Sequence, residues 1–384
     1  MDARFGADVT SQLEAAGALA GLRVIDLTRV LAGPYCTQIL ADHGADVLKI
    51  EPPQGDETRN WGPPFVGGES SAYFEGVNRN KRGMVLDLAS EGGRAQLSEL
   101  LVEADVLIDN FKPGTLANWG FGRQQLSERF PSLVQCSISG FGADGPLGGL
   151  PGYDAAIQAI SGLMSLNGAA GGEPVRIGIP VVDLTTGLNA ALGIMLALQE
   201  RRSSGRGQFV DIALYDCALS LLHPQGANFL FSGLEPQRTG SAHPNIAPYD
   251  SFDTGNGQIF LAVGNDRQFR GLCEILGLNG LAEDKRFVCN RSRVSNREAL
   301  REILEDAFRK DDAVTIAEKL IRHSVPCSPV LSVAQALAHP HSAHREMIIE
   351  RGGYRGIGSP IKFSRSTTKL QRVPPTGPSR RGGG

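Results

Sequence analysis

Leu22-Arg-Val-Ile-Asp-Leu27, Ala32-Gly-Pro34 and Asp46-Val-Leu-Lys-Ile-Glu51 decide the fold. The first run is short and β-branched, which predicts a strand. Ala32-Gly-Pro34 opens a helix over Tyr35 to His43, because a proline in the first helical turn gives up an N–H that would be unpaired anyway. Gly44 stops that helix, and Asp46–Glu51 is the next strand. Strand, helix, strand in this order is a βαβ unit, the start of a parallel sheet. Ligands in such sheets bind beyond the C-terminal strand ends. The first junction, Thr28-Arg-Val-Leu-Ala-Gly33, is therefore a candidate ligand site. It lacks G-x-G-x-x-G, which argues against a nicotinamide-dependent dehydrogenase.

The alternation continues outward. Gly83–Asp87 reads as a strand, Glu91–Glu103 as a helix, and Asp105–Asp109 as a strand ending in the turn Asn110-Phe-Lys-Pro-Gly114. The strand Ser132–Ile138 runs into a glycine-rich turn from Ser139 to Pro146. Gly152–Ile160 has helical period, Gln208–Ala213 is a strand, and Tyr215–Phe231 reads as one helix. The polar stretch 232–245 marks a domain boundary. Beyond it a hairpin, Pro248–Asp253 with Gln258–Val263, precedes helices at Asp266–Leu276, Asn296–Arg309 and Ala313–His323. Pro326–Val330 leaves this region. The expected organisation is a large domain over 20–225, a small α+β domain over 226–330 with its linkers, and a linker over 331–372 that returns to the large domain. Residues 1–19 and 373–384 are expected to be flexible.

The bulk numbers exclude several classes. The formal charge is -3 in 384 residues, without the basic surplus of nucleic-acid binders. The six cysteines are scattered with no C-x-x-C pair, so structural zinc is not expected and reduced thiols are. The start carries no basic segment followed by an apolar core, and no apolar run approaches the ~18 residues of a membrane span. A cytoplasmic protein without membrane, nucleic-acid or metal partners is the expectation.

Ile179-Pro-Val-Val-Asp-Leu-Thr-Thr-Gly187 lies mid-chain, and Leu184–Leu198 reads as a buried helix. Asp183 at its start has two readings. It is an N-cap, accepting backbone N–H bonds, or it is a nucleophile at a helix end that favours its charged form.

Gly21–Leu27, Leu31-Ala-Gly-Pro34 and Leu40–Pro52 together resemble the family III coenzyme A transferases, which include the formyl-CoA, carnitine and bile-acid enzymes. Asn80-Lys-Arg-Gly83, Asn110–Gly114, Gly205-Arg-Gly-Gln208 and the segments around Gly152-Tyr-Asp154 and Asp183 fit the same pattern, over residues 20 to 370. The resemblance implies an interlocked homodimer with a Rossmann-like α/β large domain built from both chain ends and an inserted smaller α+β domain. It implies that Asp183 is the nucleophile, passing through an aspartyl–acyl anhydride and an aspartyl–CoA thioester. Coenzyme A and acyl-CoA are then substrates, with no tightly bound cofactor. Its contacts fall on Val30, Leu31, Ala32, Leu86, Asn110, Phe111, Lys112, Ser139, Gly140 and Phe141, with Tyr153, Asp154 and Arg29 nearer the acids.

Pro52 and Asn118 stand where the formyl-type enzyme has arginines, so Lys81, Arg82 or Lys112 is expected to meet the CoA phosphates. Arg29, Arg79 and Arg176 are candidate clamps for a second carboxylate. Succinyl-CoA as donor and a small dicarboxylate as acceptor follow the family's habits, and the lack of a long glycine run argues against oxalate. The same fold hosts α-methylacyl-CoA racemases, which need a base on each face of the α-carbon. They carry a histidine where this chain has Tyr153, and a glutamate near Asp253. A non-catalytic acyl-CoA binder is the remaining alternative.

Overall fold

The computed structural model describes residues 17–67 and 70–377. Six parallel strands form the main sheet: β1 (Arg23–Asp26), β2 (Asp46–Glu51), β3 (Arg82–Val85), β4 (Val106–Asp109), β5 (Val134–Ser139) and β6 (Phe209–Ala213). Their spatial order is β3-β2-β1-β4-β5-β6. The order reverses between β1 and β4, the switch point where an open α/β sheet leaves a crevice. Both faces are covered, so the strands are apolar on both sides. Ile25, Leu48, Ile50 and Leu107 pack with Leu97, Leu101, Phe121 and Leu126 on one face. Val24, Val47, Val106 and Ile108 are also buried.

The helices of this sheet are α1 (Ala32–Asp42), α2 (Glu91–Leu101), α3 (Arg123–Arg129), α4 (Asp154–Ile160), α5 (Val181–Ser204) and α6 (Leu214–Ser220). α1 and α5 lie against each other. A Cβ at Gly187 of α5 would stand 2.6 Å from the Ala32 carbonyl oxygen. That glycine lets the two backbones meet, and it brings the start of α5 to the start of α1.

Two compact units emerge. Among the described residues, the first comprises those up to Ser161, Ile177–Leu221 and those from Pro340. The second comprises Gly162–Arg176 with Leu222–His339. The chain thus crosses between units at Ser161 and again at Ile177, a grouping the sequence expectation did not contain. The second unit holds the expected hairpin, β7 (Tyr249–Asp253) with β8 (Gln258–Ala262), in the register Gln258↔Asp253. Cys327–Pro329 does not leave this unit but adds a third strand to β8. Phe252, Ile259, Leu261, Phe269, Leu304 and Phe308 fill its core.

Three further expectations change. The helix expected over Tyr215–Phe231 is two helices, α6 and α7 (Gln225–Ser232). Pro224 between them has no N–H to continue the first. α5 begins at Val181 rather than Leu184 and has 24 residues, with a window of mean hydropathy 1.7. By length and composition it could span a membrane, contrary to the expectation, but half of that window is buried inside the protein. The ends are not uniformly loose. The Leu19 N–H donates to the His43 carbonyl, and Arg59 donates to the Pro375 carbonyl at 3.0 Å. Residues 1–16 and 378–384 of the expected flexible termini lie outside the described residues. All six cysteines are free, five of them buried.

Candidate active site

A cleft of about 320 Å³ opens at the switch point. It is lined by the β1–α1 turn (Arg29, Val30, Leu31, Ala32), the β4 turn (Asn110, Phe111, Lys112, Pro113) and the end of β5 (Ile138, Ser139, Gly140). Gly152, Tyr153 and Asp183 complete it, with Glu57, Leu150, Pro151 and Leu214.

The β1–α1 turn is held in a costly shape. Val30 has φ 69°, a left-handed conformation in which a β-branched side chain is strained. Two devices impose it. The Arg29 N–H donates to Asn110 Oδ1 at 2.9 Å, and Asn110 Nδ2 donates to the Arg29 carbonyl at 2.7 Å. One side-chain amide thereby staples the loops on either side of the switch point. From beneath, Lys49 Nζ donates to the Thr28 carbonyl at 2.8 Å and to Asp56 at 3.0 Å. Asp26 accepts from the Thr28 and Thr37 hydroxyls and from Lys81. Burial pushes the Asp26 carboxyl up, but Lys81, Lys49 and the two hydroxyls outweigh it and hold it below its ordinary value.

α1 begins at this turn without a side-chain cap at Leu31. The N–H groups of Leu31, Ala32 and Gly33 meet no acceptor among the described residues. A helix start of this kind carries partial positive charge.

Asp183 occupies the third position of α5, whose N-terminal flank is Pro180. It is not the cap that one reading proposed. The cap comes from a different helix: Asp154 Oδ2 accepts from the Val182 N–H at 2.8 Å and the Asp183 N–H at 3.1 Å. Asp183's own carboxylate makes no hydrogen bond among the described residues, and the residue is 8% exposed. Burial first, and the like charge of Asp154 second, push its carboxyl up to about 7. A buried, unpaired carboxylate that faces a cleft is the pattern of a reactive group rather than a structural one.

The other expected residues divide. Arg29, Val30, Leu31, Ala32, Asn110, Phe111, Lys112, Ser139, Gly140, Tyr153 and Asp183 share the cleft. Phe141 lies outside the lining, with its ring 5.9 Å from that of Tyr215. Leu86 also lies outside, its side chain in the core. Asp154 is buried behind the lining. Gly140 and Gly152 meet back to back: a Cβ on Gly140 would be 2.8 Å from the Gly152 nitrogen.

The expected phosphate cations are corrected. Lys81 is 1% exposed, and its ammonium is consumed by Asp26, the Pro34 carbonyl and Asn78. Arg82 begins β3 and pairs with Asp46 at the start of β2, the sheet end away from the cleft. Of the three, Lys112 alone reaches the site. Arg79 is also excluded as a clamp, being buried in a two-point contact with Asp42 at 2.9 and 2.6 Å. Arg176 belongs to the second unit. Arg29 lines the cleft, with its guanidinium 5.5 Å from the Phe111 ring. None of the seven histidines lines the cleft.

The model of CoA-transferase family III matches residues 19–379. The chain belongs to this family. A succinate–glutarate CoA-transferase of Agrobacterium fabrum is 41% identical over 93% of this chain and 92% of its own length. An acetyl-CoA:oxalate CoA-transferase of Acetobacter aceti is 41% identical over 92% of this chain and 91% of its own. A crystal structure of a CAIB/BAIF family protein from Brucella suis superposes with a TM-score of 0.84, at 43% identity, covering 94% of this chain and 96% of that one. The protein is thus a CoA-transferase, and acyl-CoA is its substrate.

Proposed function

We propose that Asp183 is the nucleophile of a transfer that moves CoA from an acyl-CoA, with succinyl-CoA favoured, to a small dicarboxylate. The observation that carries this is the unpaired, buried carboxylate of Asp183 in the cleft that holds the uncapped start of α1. The carboxylate attacks the thioester carbonyl, the C–S bond breaks, and CoA leaves as the thiolate. The product is an aspartyl–acyl anhydride. The thiolate then attacks the aspartyl carbonyl, which gives an aspartyl–CoA thioester and releases the donor acid as carboxylate. The acceptor carboxylate attacks that thioester, and thiolate returns to the acceptor's acyl carbon, freeing Asp183. Each step passes through an oxyanion. The free N–H groups of Leu31, Ala32 and Gly33 are preorganised donors for it. An Asp183 carboxyl near 7 is more basic, and so a better nucleophile, than one in water, while remaining substantially ionised at neutral pH.

Lys112 meets a CoA phosphate as a point charge, and Arg29 meets either a phosphate or the second carboxylate of the acid. Dicarboxylates are favoured because both relatives above are named for one. The absence of a histidine from the cleft weighs against the racemase, and the unpaired nucleophile weighs against a mere acyl-CoA binder. We further propose an interlocked homodimer. Leu188, Leu192 and Leu196 form a stripe along α5 at helical spacing, 49%, 58% and 62% exposed in the single chain, and a second copy would cover it. A cytoplasmic location without a tightly bound cofactor fits this chemistry.

The test is a screen of acids with labelled succinyl-CoA, using glutarate and oxalate as separate arms. Turnover with glutarate and none in Asp183→Ala, with CoA binding retained, supports the reading. Full activity in that variant removes it.

A further inference from the structure

α4 has two buried polar side chains one helical turn apart, and both are turned on the segment that enters the catalytic helix. Gln158 is 0% exposed; its Oε1 accepts from the Ile177 N–H at 2.8 Å and its Nε2 donates to Asp154 Oδ1 at 2.6 Å. Asp154 is 7% exposed, and its other oxygen takes the Val182 and Asp183 N–H groups. These atoms form one continuous relay from Ile177 through Gln158 and Asp154 to Asp183. It grips the chain where it re-enters the first unit and where α5 starts.

The relay does more than cap a helix. In an ordinary cap the helix's own flanking residue accepts the first-turn N–H groups. Here Pro180 cannot do so, and Asp183 sits close enough to its own helix start for its carboxylate to fold back onto those donors. Such a contact would tie up the lone pairs of the nucleophile. Asp154 occupies the donors first. It leaves Asp183 without a hydrogen-bond partner and places a like charge nearby.

We propose that Asp154 is a positioning residue, which with Gln158 holds the first turn of α5 and keeps the Asp183 carboxylate free and aimed into the cleft. This assigns Asp154 a role through Asp183 rather than a contact with the acid substrate. The proposal rests on Asp183 being the nucleophile. Burial and the Asp154 charge together hold the Asp183 carboxyl near 7, so removing the charge lets Asp183 ionise at lower pH. Arg29, Glu57, Lys112 and Tyr153 line the same cleft as Asp183, and Tyr73 is held to about 12 by burial and then by the charges of Asp183, Asp154 and Asp56. It stays neutral throughout the range considered.

The experiment compares Asp154→Asn with the double variant Asp154→Asn/Gln158→Glu in the full-length protein. An asparagine at 154 still offers an oxygen to Val182 and Asp183, but turns an amide N–H toward the Gln158 amide. Glutamate at 158 accepts from both that amide and Ile177, which restores the relay with its charge one link farther from Asp183. Three readings are taken. The first is the pH profile of kcat/KM with succinyl-CoA. The second is the KM–kcat split for the acceptor acid. The third is the pH dependence of carbodiimide labelling at Asp183, mapped by mass spectrometry, which reports its ionisation whether or not it is the nucleophile.

In Asp154→Asn the acid limb and the labelling curve both move to lower pH, and kcat falls with acceptor KM within twofold of the parent. In the double variant kcat recovers at least partly while the curves remain displaced. A folded Asp154→Asn whose labelling curve coincides with the parent's overturns the proposal. So does a tenfold rise in acceptor KM at unchanged kcat, which would place Asp154 against the acid. Retained turnover in Asp183→Ala, together with a displaced labelling curve in Asp154→Asn, would fail the nucleophile assignment instead, and the two failures are thereby separated.

Discussion

Asp183 should make the protein less stable as the pH rises, and replacing it should remove that effect. In the unfolded chain its carboxyl titrates near 3.8, while in the folded protein burial and the Asp154 charge raise it to about 7. The folded state therefore binds the proton more tightly. Stability linked to this group is fully present below pH 3.8 and is lost as the pH climbs through 7. The whole displacement corresponds to about 4 kcal/mol, of which about 1.5 is already spent at pH 5. Asp183→Asn keeps the volume and removes the charge. It should unfold at higher urea than the parent, with an advantage that grows by about 2 to 3 kcal/mol between pH 5 and pH 8. The assay is urea unfolding at matched protein concentration, with parent and variant measured at each pH. Parallel stability curves across that range would refute the reasoning, because they would mean that the carboxylate is paired or wet in the folded protein. An Asp183→Asn that is inactive yet more stable at pH 8 is the combination expected of a group kept for chemistry at the expense of the fold.

Other consequences follow from the walls of the cleft. Asn110→Ala releases the Arg29 backbone and leaves two partly buried polar groups to find water. We expect a stability loss of about 1 to 3 kcal/mol by urea unfolding and a larger fall in kcat/KM than in stability, since Val30 is no longer held in its strained shape. Gly140→Ala drives a methyl to within 2.8 Å of the Gly152 nitrogen, so it should lower acyl-CoA affinity in calorimetry by moving the Ser139–Gly140 wall. Lys112→Ala should weaken CoA binding and flatten its dependence on salt. Lys81→Met should instead leave Asp26 buried without its ion-pair partner, costing about 3 to 5 kcal/mol in stability. Had Lys81 been a phosphate ligand, the two lysine variants would behave alike.

Much of the fold was legible because it is written locally. The runs Arg23–Asp26, Asp46–Glu51 and Val106–Asp109 are apolar and β-branched, with glycine or proline between them, and such punctuation marks strand ends. The cleft followed from the parallel order alone, since its position is a property of the topology. What failed to show was nonlocal. Lys81 and Arg79 look like surface cations in Asn78–Arg82, yet their partners are Asp26 and Asp42, 55 and 37 residues earlier in the chain. Asn110 lines the cleft, but nothing local showed that its amide also ties a backbone 81 residues away. The cap of α5 was sought at its own start and comes from Asp154, 29 residues upstream. One miss had a visible signal. Pro224 inside the run Tyr215–Phe231 was enough to break that helix. The third strand at Cys327–Pro329 was harder, because one proline precedes so short a run and another ends it.

The most direct measurement is the fate of Asp183 during turnover. The protein is mixed with succinyl-CoA and an acceptor acid, quenched with hydroxylamine or borohydride, digested and mapped by mass spectrometry. The account predicts a hydroxamate or a reduced side chain at residue 183, formed only when acyl-CoA is present. Exchange of CoA between acids that proceeds at full rate while residue 183 stays unmodified would contradict it.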